Sequence, residues 1–190
     1  LRGYYTRFAG LENRDTPLSL TVYDKRQNYR IIVTVSMEGA IALPVFLFTD
    51  IEGSTEKWSK FPQAMEAALV RHNAIVEAAI VRCGGKVVKN TGDGYFAVFE
   101  GGEPLACAIE IQRLLAQQDW GEIGELRARM ALHTGEARQR EGDYFGLEVS
   151  RTARLLAAGW GGQILLTCEM ARSATLPPDA ALYDLGNHLL

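Results

Sequence analysis

Two short apolar runs in this chain each end on an aspartate and open at once into a glycine turn. The first is Phe46-Leu47-Phe48-Thr49-Asp50-Ile51-Glu52-Gly53-Ser54-Thr55, and the second is Val87-Val88-Lys89-Asn90-Thr91-Gly92-Asp93-Gly94-Tyr95. Burying an unpaired carboxylate is prohibitively costly, so Asp50 and Asp93 must sit at strand ends rather than in the core. Two such carboxylates converge only around positive charge. A pair of hard divalent cations suits them, since magnesium takes one or two carboxylates together with phosphate oxygens. The arrangement therefore points to nucleotide chemistry.

The rest of the chain alternates around these two turns. Val45–Thr49 reads as a strand, and residues from Pro62 to Cys83 carry Leu69, Ile75, Val76, Ala79 and Ile80 at helical spacing. Gly84-Gly85 ends that helix as a left-handed cap. Lys86–Lys89 and Tyr95–Phe99 form a hairpin, Pro104 to Gln118 a second helix, Leu126–Thr134 a strand, Val149–Ala158 a third helix, and Gly162–Thr167 a last strand. Strand, helix, hairpin, helix, strand is the ferredoxin-like split βαβ pattern. The expected fold is α/β (α+β), a ferredoxin-like βαββαβ domain with a mainly antiparallel sheet and helices covering one face. Residues 44–190 form this unit. Residues 1–43 are a β-rich extension in which Leu18–Tyr23 and Tyr29–Val35 make a hairpin. Met37 is a plausible natural start, so residues 1–36 are expected to be the tail of an upstream module or an appended segment.

Composition excludes several function classes. With 190 residues, 47% of them hydrophobic, there is room for one good core. The net charge of −3 offers no basic footprint for a nucleic acid polymer. No apolar run approaches the ~18 residues a membrane span needs, so no membrane contact is expected in this region and the domain is expected to be cytoplasmic. Cys83, Cys107 and Cys168 lack any paired spacing and read as small buried hydrophobes in a reducing compartment. His72, His133 and His188 lack metal-ligand spacing, and Trp58, Trp120 and Trp160 read as packing residues.

At the first turn, Gly53, Ser54 and Thr55 precede a helix-compatible stretch, where backbone N–H groups and hydroxyls can cradle phosphate. The alternative is that Asp50 or Ser54 simply caps that helix. At the second turn, both neighbours of Asp93 are glycines able to adopt φ > 0. Lys89 lies near that strand end, within reach of a base or an acid.

Three segments together resemble the signatures of class III nucleotidyl cyclase catalytic domains, in order and in spacing. They are Phe48-Thr49-Asp50-Ile51-Glu52-Gly53-Ser54-Thr55, Lys89-Asn90-Thr91-Gly92-Asp93-Gly94 and Gly142-Asp143-Tyr144-Phe145-Gly146. Residues Arg127 to Glu136 also resemble the strand before the third signature. The resemblance implies a homodimer whose active sites are shared across the interface. In each site Asp50, Asp93 and the carbonyl of Ile51 would hold two divalent ions, Mg2+ or Mn2+. One ion would activate the ribose 3′-hydroxyl, and the other would hold the triphosphate.

The base is chosen by hydrogen-bond polarity: the Lys89 donor and the Asp143 acceptor complement adenine, and Phe145 can line the purine pocket or pack in the core. ATP is therefore the expected substrate, and 3′,5′-cyclic AMP and pyrophosphate the products. Arg154, on the third helix, would stabilise charge at the reacting phosphate, whereas Arg151 points to a neighbouring face. Ser150 stands where the family carries asparagine, which weakens a contact near the ribose. The family's triphosphate-binding lysine lies beyond Leu190, so the natural protein is expected to continue, and regulatory domains are expected outside this chain. A degenerate nucleotide-binding or dimerisation module is the alternative, with a guanylyl cyclase behind it. Lys89→Ala and Asp143→Ala proteins, each inactive alone, are expected to restore activity when mixed.

Overall fold

Punctuation in the sequence sets the element boundaries. The computed structural model describes residues 43–186 and 188 with their side chains, and residues 18–24 and 29–35 as backbone strands. In chain order these are β1 (Leu18–Asp24), β2 (Tyr29–Val35), β3 (Val45–Ile51), α1 (Ser54–Lys60), α2 (Pro62–Arg82), β4 (Lys86–Asn90) and β5 (Gly94–Phe99). Then follow α3 (Pro104–Ala116), a 3-10 turn (Gly121–Ile123), β6 (Ala128–Thr134), β7 (Arg138–Arg140), β8 (Asp143–Phe145), α4 (Leu147–Ala157), β9 (Ile164–Thr167) and α5 (Cys168–Ser173).

Proline stands in the first turn of both α2 and α3, where its missing N–H costs nothing. The end of α2 is a Schellman cap: Gly84 N–H donates to Val81 O at 3.1 Å and Gly85 N–H to Ile80 O at 2.8 Å. Gly84 takes the left-handed φ of +82°. Gly85 is glycine for a different reason, because a Cβ there would lie 2.5 Å from the Phe99 ring.

The strands form one seven-stranded sheet in the order β1-β2-β9-β6-β3-β5-β4, with β7 and β8 as a separate two-stranded hairpin. Within it, β6-β3-β5-β4 is the ferredoxin-like unit, antiparallel at every pairing. β9 joins parallel to β6, and the β1–β2 hairpin extends the sheet by pairing parallel with β9. The remaining residues of the N-terminal extension lie outside the described residues.

Period-two alternation assigns the two sheet faces. Leu47, Ile51, Tyr95, Phe99, Met130 and Leu132 meet Met65, Val76 and Ile80 of α2 and Leu105, Ile111 and Leu115 of α3. Each such side chain contributes about 1.5–3 kcal/mol by leaving water. Phe46, Phe96, Val98 and Tyr144 cluster on the opposite face, where Phe48 stacks on Phe96 at 4.5 Å. Leu155 of α4 packs on that same face, against Ala131 and Leu165.

This corrects the expectation that the helices cover one face: α2 and α3 do, and α4 lies on the other. The strand directions give the β6–α4–β9 connection the opposite hand to the β3–α2–β4 and β5–α3–β6 crossovers, against the general preference for a single hand. The cause lies in the intervening hairpin. Tyr144 of β8 buries its ring among Phe46 and Phe96, which delivers the chain to the far face before α4 begins.

Candidate active site

The sheet brings the two aspartates together. Asp50 is the penultimate residue of β3 and pairs with Gly94 of β5, while Ile51 N–H donates to the Asp93 carbonyl at 3.0 Å. The turn carrying Asp93 is held from below. Asn90 Oδ1 accepts from Gly92 N–H at 2.7 Å, and Thr91 N–H donates to Gly94 O at 2.9 Å. Asn90 Nδ2 donates to Tyr95 Oη at 2.8 Å, and Tyr95 Oη–H donates to Glu77 of α2 at 2.8 Å. Burial, with Glu77 alongside, raises the Tyr95 phenol well above its ordinary value, so it stays a neutral donor.

Neither Asp50 nor Ser54 caps α1. The N-cap is Gly53, in the left-handed region at φ 66°, with no side-chain cap bond. Ser54 Oγ–H instead donates to Asp93 Oδ2 at 2.5 Å, which ties the two turns together. Thr55 is exposed at the start of α1. Lys57 fixes the helix to the loop after α3 by donating to the carbonyls of Ile123 and Glu125 at 2.7 and 2.8 Å.

Asp50 has a partner that sequence reading missed. Arg129, its cross-strand neighbour on β6, donates from Nε to Oδ1 at 2.7 Å and from Nη2 to Oδ2 at 2.5 Å. Such a fork matches a carboxylate bidentately, and the Asp50 hydrogen bond raises the Arg129 pKa further. Only the register of β3 against β6 reveals this pair. Asp50 and Asp93 are hard oxygen donors of the kind a divalent cation takes, with Arg129 supplying the positive charge at Asp50.

The base-recognition candidates also meet. Lys89 forms an ion pair with Asp143, and its Nζ lies 5.8 Å from the centre of the Phe145 ring. The Lys89 hydrogen bond, with the Tyr144 N–H, holds the Asp143 carboxyl below its ordinary value against some desolvation. Phe145 is 50% exposed, so it is not a core residue. Lys89 pairs in register with Phe96, and Asp50 continues the alternation of Phe46 and Phe48, so both lie on the face that carries α4.

Ser150 and Arg154 are exposed one turn apart on α4, and Ser150 Oγ–H bonds back to Gly146 O at 3.4 Å. Arg151 donates to both oxygens of Glu148 at 2.9 Å. Its guanidinium is thereby held on the helix.

His72 and His133 are buried, and among the described residues no cluster of three or more metal-ligating side chains occurs. Desolvation lowers the pKa of His72. Trp120 packs in the core, but Trp160 is 71% exposed, which overturns its reading as a packing residue. Among the described residues, no helix is long and apolar enough to cross a membrane.

Comparison with known proteins identifies the family. A model of the adenylate and guanylate cyclase catalytic domain matches residues 41–183. An uncharacterised protein of Mycobacterium tuberculosis is 36% identical over 149 residues, which cover 76% of this chain and 50% of that relative. The chain thus spans about half the length of that relative. The adenylate cyclase of Schizosaccharomyces pombe is 30% identical over 159 residues, covering 70% of this chain and 9% of the relative. The solved structure of a Trypanosoma brucei adenylate cyclase in its monomeric state superposes with a TM-score of 0.66 at 21% identity, across 82% of this chain and 94% of that one. The guanylyl cyclase Cya2 superposes at 0.59 and 22% identity, across 78% and 93%. These two likenesses show the fold. With three signatures in order and a matching family model over most of its length, the chain belongs to the adenylate and guanylate cyclase catalytic domain family.

Proposed function

We propose that residues 44–190 are an adenylyl cyclase unit, converting ATP to 3′,5′-cyclic AMP and pyrophosphate at sites shared between two copies. The observation that carries the choice of base is the ion pair of Lys89 and Asp143 beside the half-exposed Phe145 ring. A cationic donor and an anionic acceptor, side by side, match the ring nitrogen and exocyclic amine of adenine. Guanine would set its exocyclic oxygen against the carboxylate, leaving both unpaired.

Asp50 and Asp93, with the Ile51 carbonyl, would hold two divalent ions, Mg2+ or Mn2+. When bound these supply activation of the 3′-hydroxyl and charge compensation of the triphosphate. The chain's own residues do the rest. The Asn90–Tyr95–Glu77 chain and Ser54 hold the Asp93 turn still, so little reorganisation is needed during the reaction. Gly53, Ser54 and Thr55 approach the phosphates, and Arg154 places a permanent positive charge on the reacting one. Exposed Phe145 and Leu147, before and at the start of α4, give this face an apolar rim suited to a second copy.

The test is production of cyclic AMP or cyclic GMP from ATP or GTP with manganese. Cyclic AMP that disappears in Asp50→Ala supports the reading. ATP binding without turnover would favour a nucleotide-binding module, the reading to which the back-bonded Ser150 hydroxyl lends weight. Asp143→Asn, which can donate to the guanine oxygen, is expected to lower the ATP-over-GTP preference in kcat/KM by at least about tenfold.

Arg129 gives a second expected outcome. Arg129→Met leaves a partly buried Asp50 without its counter-charge, so the urea midpoint in metal-free buffer should fall by an amount equivalent to about 1–3 kcal/mol. Added manganese should recover part of that loss, because the ion then replaces the guanidinium. A midpoint indifferent to manganese would count against Asp50 as a ligand.

A further inference from the structure

A three-element hydrogen-bond chain links the sheet to the helix bearing Ser150 and Arg154. His133 of β6 is buried, and its Nε2 lies 2.5 Å from Glu148 Oε2 in the first turn of α4. A carboxylate only accepts, so Nε2 carries the proton. Its Nδ1 lies 2.7 Å from Thr167 Oγ1 at the end of β9. In the neutral ring this nitrogen accepts the threonine proton, so both ring atoms are satisfied. The Glu148 carboxylate also receives Arg151. Burial pushes the Glu148 carboxyl up, but the His133 and Arg151 contacts outweigh it, leaving the group below its ordinary value.

The approach is sterically prepared: a Cβ on Gly135 would lie 2.7 Å from Glu148 Cγ. Gly135 has no positive φ that demands glycine. What it provides is room for Glu148 to reach the histidine.

We propose that His133 is a positioning residue which, through Glu148, sets the seat of α4 on the sheet and hence the placement of Arg154. The catalytic consequence rests on the reading of Arg154 as the phosphate-binding residue. The positioning itself does not. Leu155 anchors the later part of α4, whereas the first turn is held by this polar contact to β6 together with Val149, which packs on the Phe46–Phe96 cluster. Misplacement of a reacting group by about 1 Å can cost ~100-fold in rate, and by analogy, loss of the hydrogen-bond partner that orients a metal ligand typically costs ~10–100-fold.

The experiment separates the two hydrogen bonds of one ring. A glutamine amide reaches the place of Nε2, and an asparagine amide the place of Nδ1. His133→Gln therefore keeps the Glu148 bond, and His133→Asn keeps the Thr167 bond. Hydrogen exchange of the α4 amides is read in both proteins and in Thr167→Val, with kcat and KM for ATP measured in parallel. In His133→Asn, α4 protection is expected to fall by about tenfold or more and kcat by ~10–100-fold, with KM within about twofold. His133→Gln and Thr167→Val should stay near wild type in both readouts. Equal losses in the asparagine and glutamine proteins, or unchanged α4 exchange in His133→Asn, would overturn the proposal. If exchange follows the expected pattern while Arg154→Ala turns over like wild type, the positioning stands and the role given to Arg154 falls.

Discussion

Gly94→Ala is expected to abolish cyclic nucleotide formation and to destabilise the domain by about 3 kcal/mol, the upper range for overpacking a well-fitted interior. Gly94 opens β5 directly opposite Asp50. A Cβ there would stand 2.2 Å from the Thr49 carbonyl oxygen, 3.1 Å from Thr91 Oγ1 and 3.3 Å from the Asp50 Cα. The first and last of these are backbone atoms at the paired end of the β3–β5 ladder, so no side-chain rotation relieves the clash. The relief must come from separating β3 and β5 at the point where they align the two aspartates.

Gly92→Ala is the matching control. Gly92 has φ +99° but nothing within 4 Å of a Cβ, so its cost is conformational, about 1–3 kcal/mol, and leaves the register of β3 intact. Urea midpoints and manganese-dependent turnover of the two proteins, side by side, give the answer. A Gly94→Ala protein that folds and turns over like wild type would show that the β3–β5 alignment is not what assembles the site.

The second large effect concerns how sites are divided between copies. Asp93→Ala and Lys89→Ala are each expected to be inactive alone, and an equal mixture should recover about a quarter of wild-type activity. Random pairing makes half the dimers mixed, and each mixed dimer has one intact site. Lys89→Ala mixed with Asp143→Ala should recover nothing. Their ion pair within one chain puts both lesions in the same half of a site, which reverses the expectation drawn from sequence for that mixture. Recovery in the second mixture would put Lys89 and Asp143 in different halves of a shared site, and recovery in neither would mean that each chain builds its site alone.

How much of this was legible in the sequence depended on the range of the interaction concerned. The end of α2 could be read because Gly84 and Gly85 are local signals, and the strand ends at Asp50 and Asp93 because an unpaired carboxylate cannot be buried. The signature spacing gave the family, and with it Lys89 and Asp143 as candidates. Contacts set by register were beyond reach: Arg129 meets Asp50 only once β6 is laid against β3. The same holds for His133 and Glu148, fifteen positions apart and joined across a sheet and a helix. The placement of α4 was missed for a physical reason. The strands of the β7–β8 hairpin are three residues each, too short for periodicity to register, yet they carry the chain across to the other face.

That hairpin has a consequence for how such a domain can change over generations. It turns on Glu141 and Gly142, both with positive φ, and joins the main sheet through the Tyr144 ring. Asp143 thus rides on an element whose backbone pairing is its own, while Asp50 is paired in the central ladder and Asp93 is tied to its end through the Ile51 N–H. Mutations accumulating in Arg138–Gly142 can reshape the surroundings of Asp143 without disturbing the strands that bring Asp50 and the Asp93 turn together. On the proposed reading of the site, the Asp143 half of base recognition is thus heritable apart from the central sheet, whereas Lys89, on β4, is not.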